Sequence, residues 1–261
     1  CSTVSGGFCN TASGTWSTVG GGYHNTSSYI NSTVSGGFGN TASCYASTVS
    51  GGINNIASKQ NATVGGGSHN TSTAYGATTG GGSCNYSSGY YSTVGGGYTN
   101  TASGGYSTVG GGKCNMASSY CSTVGGGYCN RSTGYFTTIA GGKSNTAAGH
   151  YTTIVGGMLN CASGTYSFIG GGVGNTASSI YSTVAGGGGN YATSAYSAVL
   201  GGTNNNTSTF VKAMIVGSGI MADRACTTFV NNLSIKNIPM GAAGLPPGSV
   251  WNDNGTLKIV G

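Results

Sequence analysis

Only two carboxylic acids occur in the 261-residue chain, Asp223 and Asp253. Glycoside cleavage by paired carboxylates needs two such groups flanking one bond, and residues 1–211 contain no Asp or Glu. Both acids read as turn residues. Of the three histidines, His24 and His69 hold equivalent repeat positions three repeats apart. Stacked repeats would separate them by about 14 Å, too far to share a metal ion, and His150 sits at a different position. Serines abound, yet no base and orienting acid accompany them. Glycine runs such as Gly95-Gly96-Gly97 lack the helix and lysine of a phosphate loop. The expectation is a protein that is not an enzyme, with no catalytic residue, no metal and no cofactor.

Nine cysteines are present, an odd number. Cys9, Cys84, Cys114 and Cys129 share one repeat position, and Cys114 and Cys129 fall on adjacent repeats, within nominal disulfide reach. Most of the others have no counterpart one repeat away, so free thiols are expected. The net charge of +6 is spread thinly, with Lys59, Lys113, Arg131 and Lys143 the only bases in the first 211 residues. Nucleic-acid binding uses clustered bases, so none is expected. No apolar run approaches the ~18 residues of a membrane span, so no membrane insertion is expected. Sequons at Asn25, Asn31, Asn70 and Asn85 follow from a repeat rich in Asn, Ser and Thr.

What must position all these groups is a repeat. Ser-Thr-Val or a close variant begins at residue 2 and returns every 15 residues to residue 197, giving fourteen copies across 2–211 without insertion or deletion. Numbering the slots of a copy from that serine, slots 5 and 6 are always glycine and slot 9 is always asparagine. Slot 3 is Val or Ile except at Thr79, slot 11 is Ala, Ser or Thr, and slot 15 is aromatic in eight copies. Paired glycines permit positive φ and close backbone approach. Asparagine is read as a left-handed turn residue whose amide bonds backbone or stacks on its equivalents. The structural turn is therefore assigned to Gly6, Gly7 and Asn10, Gly96, Gly97 and Asn100, Gly126, Gly127 and Asn130, and their equivalents. Aromatic-Ser-Thr-Val reads as a short strand, with slots 1 and 3 on one face and slots 15 and 2 on the other.

Valine, isoleucine, leucine and phenylalanine total about 15% of the chain, below the ~20% usual for a globular core, yet the low charge argues against disorder. Five leucines against 54 glycines exclude a helical protein, and three prolines exclude collagen. The fold class expected is all-β, a parallel β-solenoid or β-roll with each copy one coil, slots 3 and 11 inside. Stacking at about 4.8 Å gives fourteen coils a length of roughly 65–70 Å. So thin a core implies association with identical chains, with a homotrimer the expected symmetry.

Residues 1–211 are expected to form the roll, and 212–261 a degenerate coil followed by a C-terminal cap. Ala213–Gly217 resembles a fifteenth coil, 227–235 a strand turning at Asn231-Asn232, and 249–260 a hairpin about Asn254-Gly255. Cys1 fills slot 15 of a preceding coil, which implies further coils upstream.

The coils resemble the head repeats of YadA-like trimeric autotransporter adhesins, a left-handed parallel β-roll. Residues 91–104, Tyr-Ser-Thr-Val-Gly-Gly-Gly-Tyr-Thr-Asn-Thr-Ala-Ser-Gly, also resemble repeats of fibre-like proteins of phages and large DNA viruses. Residues 245–259, Leu-Pro-Pro-Gly-Ser-Val-Trp-Asn-Asp-Asn-Gly-Thr-Leu-Lys-Ile, resemble a terminal module of such viral chains. The resemblance implies a trimeric fibre or adhesin. Without a coiled-coil stalk or an anchor barrel in the sequence, the reading favoured is a structural fibre on a virion surface that supports host attachment, the alternative being a bacterial adhesin head. Partners expected are identical chains and a host-surface glycan or protein. Phe8, Tyr23, Phe38, Tyr98 and Tyr128 at slot 7 are expected to offer stacking surfaces for sugars. An ice-binding face is less favoured: the slot 2 threonine column is interrupted by Phe168 and Ala198, and slot 15 tyrosines are expected beside it. An enzymatic tailspike is disfavoured by the missing carboxylates.

Overall fold

The computed structural model describes residues 1–232, 239, 243–247, 249–253 and 256–259. Each coil contributes two two-residue strands, slots 2–3 and slots 10–11, such as Thr3–Val4 and Thr11–Ala12. Slot 2–3 strands stack into one parallel sheet and slot 10–11 strands into a second. Partners sit one repeat apart throughout, Thr3 on Thr18 and Thr11 on Thr26. Slot 7 forms a third column of single parallel bridges, from Phe8–Tyr23 to Gly188–Thr203. The protein is an all-β parallel solenoid of about 15 turns, and no helix forms among the described residues.

Register follows from the period. A slip by one residue would swap the inner and outer faces of every coil. Slots 1, 3 and 11 point inward and are buried from the second coil onward, with Val19, Val34 and Val49 at zero exposure. Alanine or serine at slot 11 faces that valine column, because two strands this close leave no volume for a larger side chain. Most of the buried apolar residues fall into two clusters, one ending at Val64 and one beginning at Val94. Between them lies Thr79, the one exception at slot 3. Its hydroxyl meets Ser72 Oγ at 3.0 Å, and Ser72 also donates to Thr63 O at 2.9 Å. A polar partner thus accompanies the polar exception. Replacing both hydroxyls with apolar groups is expected to be neutral or stabilising by up to about 1 kcal/mol, whereas Ser72→Ala alone should destabilise by about as much. Urea melts of Thr79→Val/Ser72→Ala and of Ser72→Ala check this.

The sheets turn at left-handed residues, and here the structure corrects the sequence reading. Slot 9 asparagine is not the left-handed residue. Slots 8 and 15 are, with φ near 55° at Cys9, His24, Trp16, Tyr91 and Tyr151. At these corners the N–H points back to the preceding coil, as His24 N–H does to Phe8 O and Tyr91 N–H to Tyr75 O. The slot 15 aromatics therefore stand at a corner, not within the strand that carries the threonines.

Asparagine is instead drawn inside and fully buried from Asn25 onward. In every coil its Nδ2 donates to the slot 5 carbonyl of its own coil and to the slot 6 carbonyl of the next. For Asn100 these are Gly96 O at 2.9 Å and Gly112 O at 2.8 Å. Its Oδ1 accepts the N–H of the following asparagine, Asn115, at 2.9 Å. The amide satisfies backbone groups that a sharp, part-buried bend would otherwise leave without a protein partner.

Stacking continues past residue 211. The strand Met214–Val216 pairs with Ala198–Val199 at an offset one residue longer than the repeat. Ile220, in the asparagine slot, then regains the period by donating its N–H to Asn205 Oδ1 at 3.0 Å. Thr228–Val230 adds the last rung of the first sheet. The chain divides into Cys1–Phe229 and Val230–Gly261. In the second unit Val250–Asp253 pairs antiparallel with Thr256–Ile259, Asp253 opposite Thr256. This is the hairpin expected there. Its turn residues Asn254 and Gly255, and the 233–235 part of the other expected strand, lie outside the described residues.

Candidate functional site

No pocket opens among the described residues, and no group of three or more His, Cys, Asp or Glu that could hold a metal forms among them. Any site on this solenoid is an outer face, built from side chains that repeat along the stack. Slot 7 is the best positioned. Its N–H is bound to the next coil, Phe8 N–H to Gly22 O at 3.0 Å and Tyr98 N–H to Gly112 O at 2.9 Å, so each side chain projects at fixed register.

The five aromatics expected at slot 7 are all exposed. Phe8, Tyr23 and Phe38 form one stack with ring centroids 5.5 and 5.4 Å apart and planes within 8°. Tyr98 and Tyr128 belong to a second group with lysine between them. Lys113 Nζ lies 5.5 Å from the Tyr98 centroid and 5.9 Å from that of Tyr128, and Lys143 Nζ lies 5.8 Å from the latter. Tyr23 has a ring on each side and Tyr128 a lysine on each side, whereas Phe8, Phe38 and Tyr98 have such a partner on one side. What the column presents outward is ring edges, tyrosine hydroxyls and ammonium groups.

A longer aromatic column runs along slots 14 and 15, and the repeat pattern only partly signals it. Phe136, Tyr151, Tyr166, Tyr181 and Tyr196 stack with centroids 4.9–5.1 Å apart. Where slot 15 is Cys121, Tyr120 at slot 14 bridges the gap, 5.5 Å from Tyr106 and 5.8 Å from Phe136. Tyr90, Tyr91 and Tyr75 extend the line toward the N-terminus. Reading slots 14 and 15 together would have revealed it, since adjacent corner positions reach the same neighbours. The Tyr91 phenol is pushed up to about 12, chiefly by its hydrogen bond with Tyr75.

The threonines of slot 2 line one sheet, and Phe168 interrupts them as an exposed ring. The corner position of the tyrosines removes one objection to an ice-binding face; the interruption remains.

All nine cysteines carry free thiols. Burial pushes the Cys114 thiol up, and neighbouring Cys129 adds to the shift against an opposing effect of Lys113. A raised value means less thiolate at a given pH. Iodoacetamide should therefore label Cys114 slowly at neutral pH and faster only above the ordinary thiol range. Cys129→Ser should accelerate that labelling, followed by peptide mass spectrometry.

The fold places this chain in the class of parallel β-solenoids with 15-residue coils. Residues 2–14 match the family model described as ubiquitous surface protein adhesin repeat. The matched segment is almost one full coil, and the same coil recurs through the solenoid, so the architecture fits an adhesin-type tandem repeat. Comparison with curated proteins gives no significant match.

Proposed function

We propose that this chain is the rod-forming, ligand-displaying segment of a surface adhesin, working as a homotrimer and not as an enzyme. One observation carries the reading: adhesin-type coils stack in register, with inward slots held constant while outward slots 7, 8, 14 and 15 vary. Constancy inside maintains the rod, and variation outside is where recognition can differ from coil to coil. The exposed aromatic column from Tyr90 to Tyr196 supplies apolar surface for chain–chain contact, the kind of patch that marks association. The matched repeat favours an adhesin over the virion fibre, which rests on the likeness of residues 91–104 and 245–259.

Two measurements test this. Sedimentation equilibrium should return a three-chain mass, and a stable monomer would overturn the trimer. Beads coated with the chain should adhere to cultured animal cells, and failure to adhere would overturn the adhesin reading. Imaging that shows the rod on intact capsids would replace it with the virion fibre.

A further inference from the structure

The bases of the solenoid look scattered in sequence, but stacking brings two of them into one line. Slot 7 of four successive coils reads Tyr98, Lys113, Tyr128, Lys143. We propose that this strip binds a linear anionic polysaccharide whose carboxylate or sulfate groups recur with every disaccharide. The proposal rests on the adhesin reading and names the ligand class of that surface.

Three observations converge on it. First, the positive charge is uncompensated. Residues 1–211 contain no acid, and the ion pair Asp223–Arg224 lies beyond them. Second, the ammonium groups are held in place. Lys113 lies between the Tyr98 and Tyr128 rings and Lys143 lies over Tyr128. Such cation–π contacts restrain a flexible side chain without neutralising it, so less entropy is lost on binding. Third, the spacing is set by the backbone. Two coils separate the lysines by about 10 Å, commensurate with the axial length of a disaccharide, and the exposed phenol of Tyr128 stands midway. The strip is a comb of alternating ammonium and hydroxyl donors.

Geometry also selects among ligands. Single-stranded nucleic acid binds through bases stacked on open aromatic faces, and neutral sugars likewise use ring faces. Here lysines lie over Tyr128 from both neighbouring coils and over one face of Tyr98, which favours ring edges and polar donors as the contacts offered. Carboxylate and sulfate groups on a polymer match what remains.

The test measures binding of the full chain to immobilised chondroitin sulfate, with dextran and single-stranded DNA as comparison surfaces. Chondroitin sulfate should bind with an affinity that falls as salt rises, and dextran should not bind. Lys113→Gln/Lys143→Gln should weaken binding at least tenfold, while Lys59→Gln leaves it unchanged. Lys143→Gln/Met158→Lys keeps the charge but lengthens the spacing to three coils, and it should also weaken binding. Absence of binding by the unmodified chain, equal weakening by Lys59→Gln, or full binding by the shifted variant would each overturn the proposal. Tighter binding to DNA would overturn the ligand class. Bead adhesion to cells is scored in parallel. Adhesion without polysaccharide binding defeats this proposal alone, and polysaccharide binding without adhesion defeats the adhesin reading alone.

Discussion

Gly97→Ala is expected to destabilise the solenoid by about 2–6 kcal/mol, the sum of a strained backbone and an overpacked contact. Gly97 has a φ of +90°. A Cβ there would lie 2.1 Å from Gly112 O and 2.7 Å from Asn100 Nδ2. Neither neighbour can yield, because Gly112 O also accepts the Tyr98 N–H and the Asn100 amide is tied to three groups. Relief requires coils to separate at that level. Stability in a solenoid is a sum of nearest-neighbour terms, so the damage should be local, and thermal unfolding should split into two steps. Gly96→Ala is the control. Gly96 lies outside the left-handed region and its Cβ would meet nothing within 4 Å. Its unfolding should shift by no more than about 0.5 kcal/mol. Calorimetry of the two variants side by side checks the contrast; equal melting curves would contradict the contact geometry. A Gly96→Ala chain that folds normally but loses its three-chain mass would place the slot 5 glycines at the contact between chains.

Asn100→Ala should destabilise by about 1.5–4.5 kcal/mol. Removing the amide strands the buried Asn115 N–H, at about 1–3 kcal/mol, and takes its amide donor from the part-buried Gly96 O, at about 0.5–1.5 kcal/mol. Gly112 O loses less, because it keeps the bond from Tyr98 N–H. Asn100→Asp is the sharper experiment. A carboxylate oxygen in place of Nδ2 would face two carbonyl oxygens, with no cation beside it. An uncompensated buried charge costs about 3–5 kcal/mol, so the folded protein should hold this carboxyl protonated. Its folded pKa then lies above the unfolded value of about 3.9. The folded state binds the extra proton, and stability falls as pH rises from the unfolded pKa through the folded one. Asn100→Asp should therefore be closer to the unmodified protein at pH 3 than at pH 7. Urea melts at the two pH values decide it, and a variant more stable at pH 7 would show that the site is not buried as described.

How far the sequence reaches is clearest at particular slots. Fourteen repeats without slippage determine that the chain stacks in parallel register, because only one offset keeps every valine on one face. The burial of slots 3 and 11 was legible for the same reason, and so was the oddity of Thr79. The left-handed corners were not legible. Only four of the positions at slots 8 and 15, Gly39, Gly76, Gly174 and Gly189, carry glycine, whereas Cys, His, Tyr and Trp hold the same conformation elsewhere. Local preference does not choose φ there; hydrogen bonds to neighbouring coils impose it.

The candidate site divides in the same way. Its aromatic slot 7 residues could be named from the sequence, as could the lysines. That rings and ammonium groups interleave, with a lysine on each side of Tyr128, depends on contacts made one coil apart. Periodicity alone determined which residues share a column, since it is a property of spacing. Which groups within a column satisfy the backbone, which turn the chain and which face a ligand was decided only by tertiary structure, because those roles depend on bonds between coils that no single repeat contains.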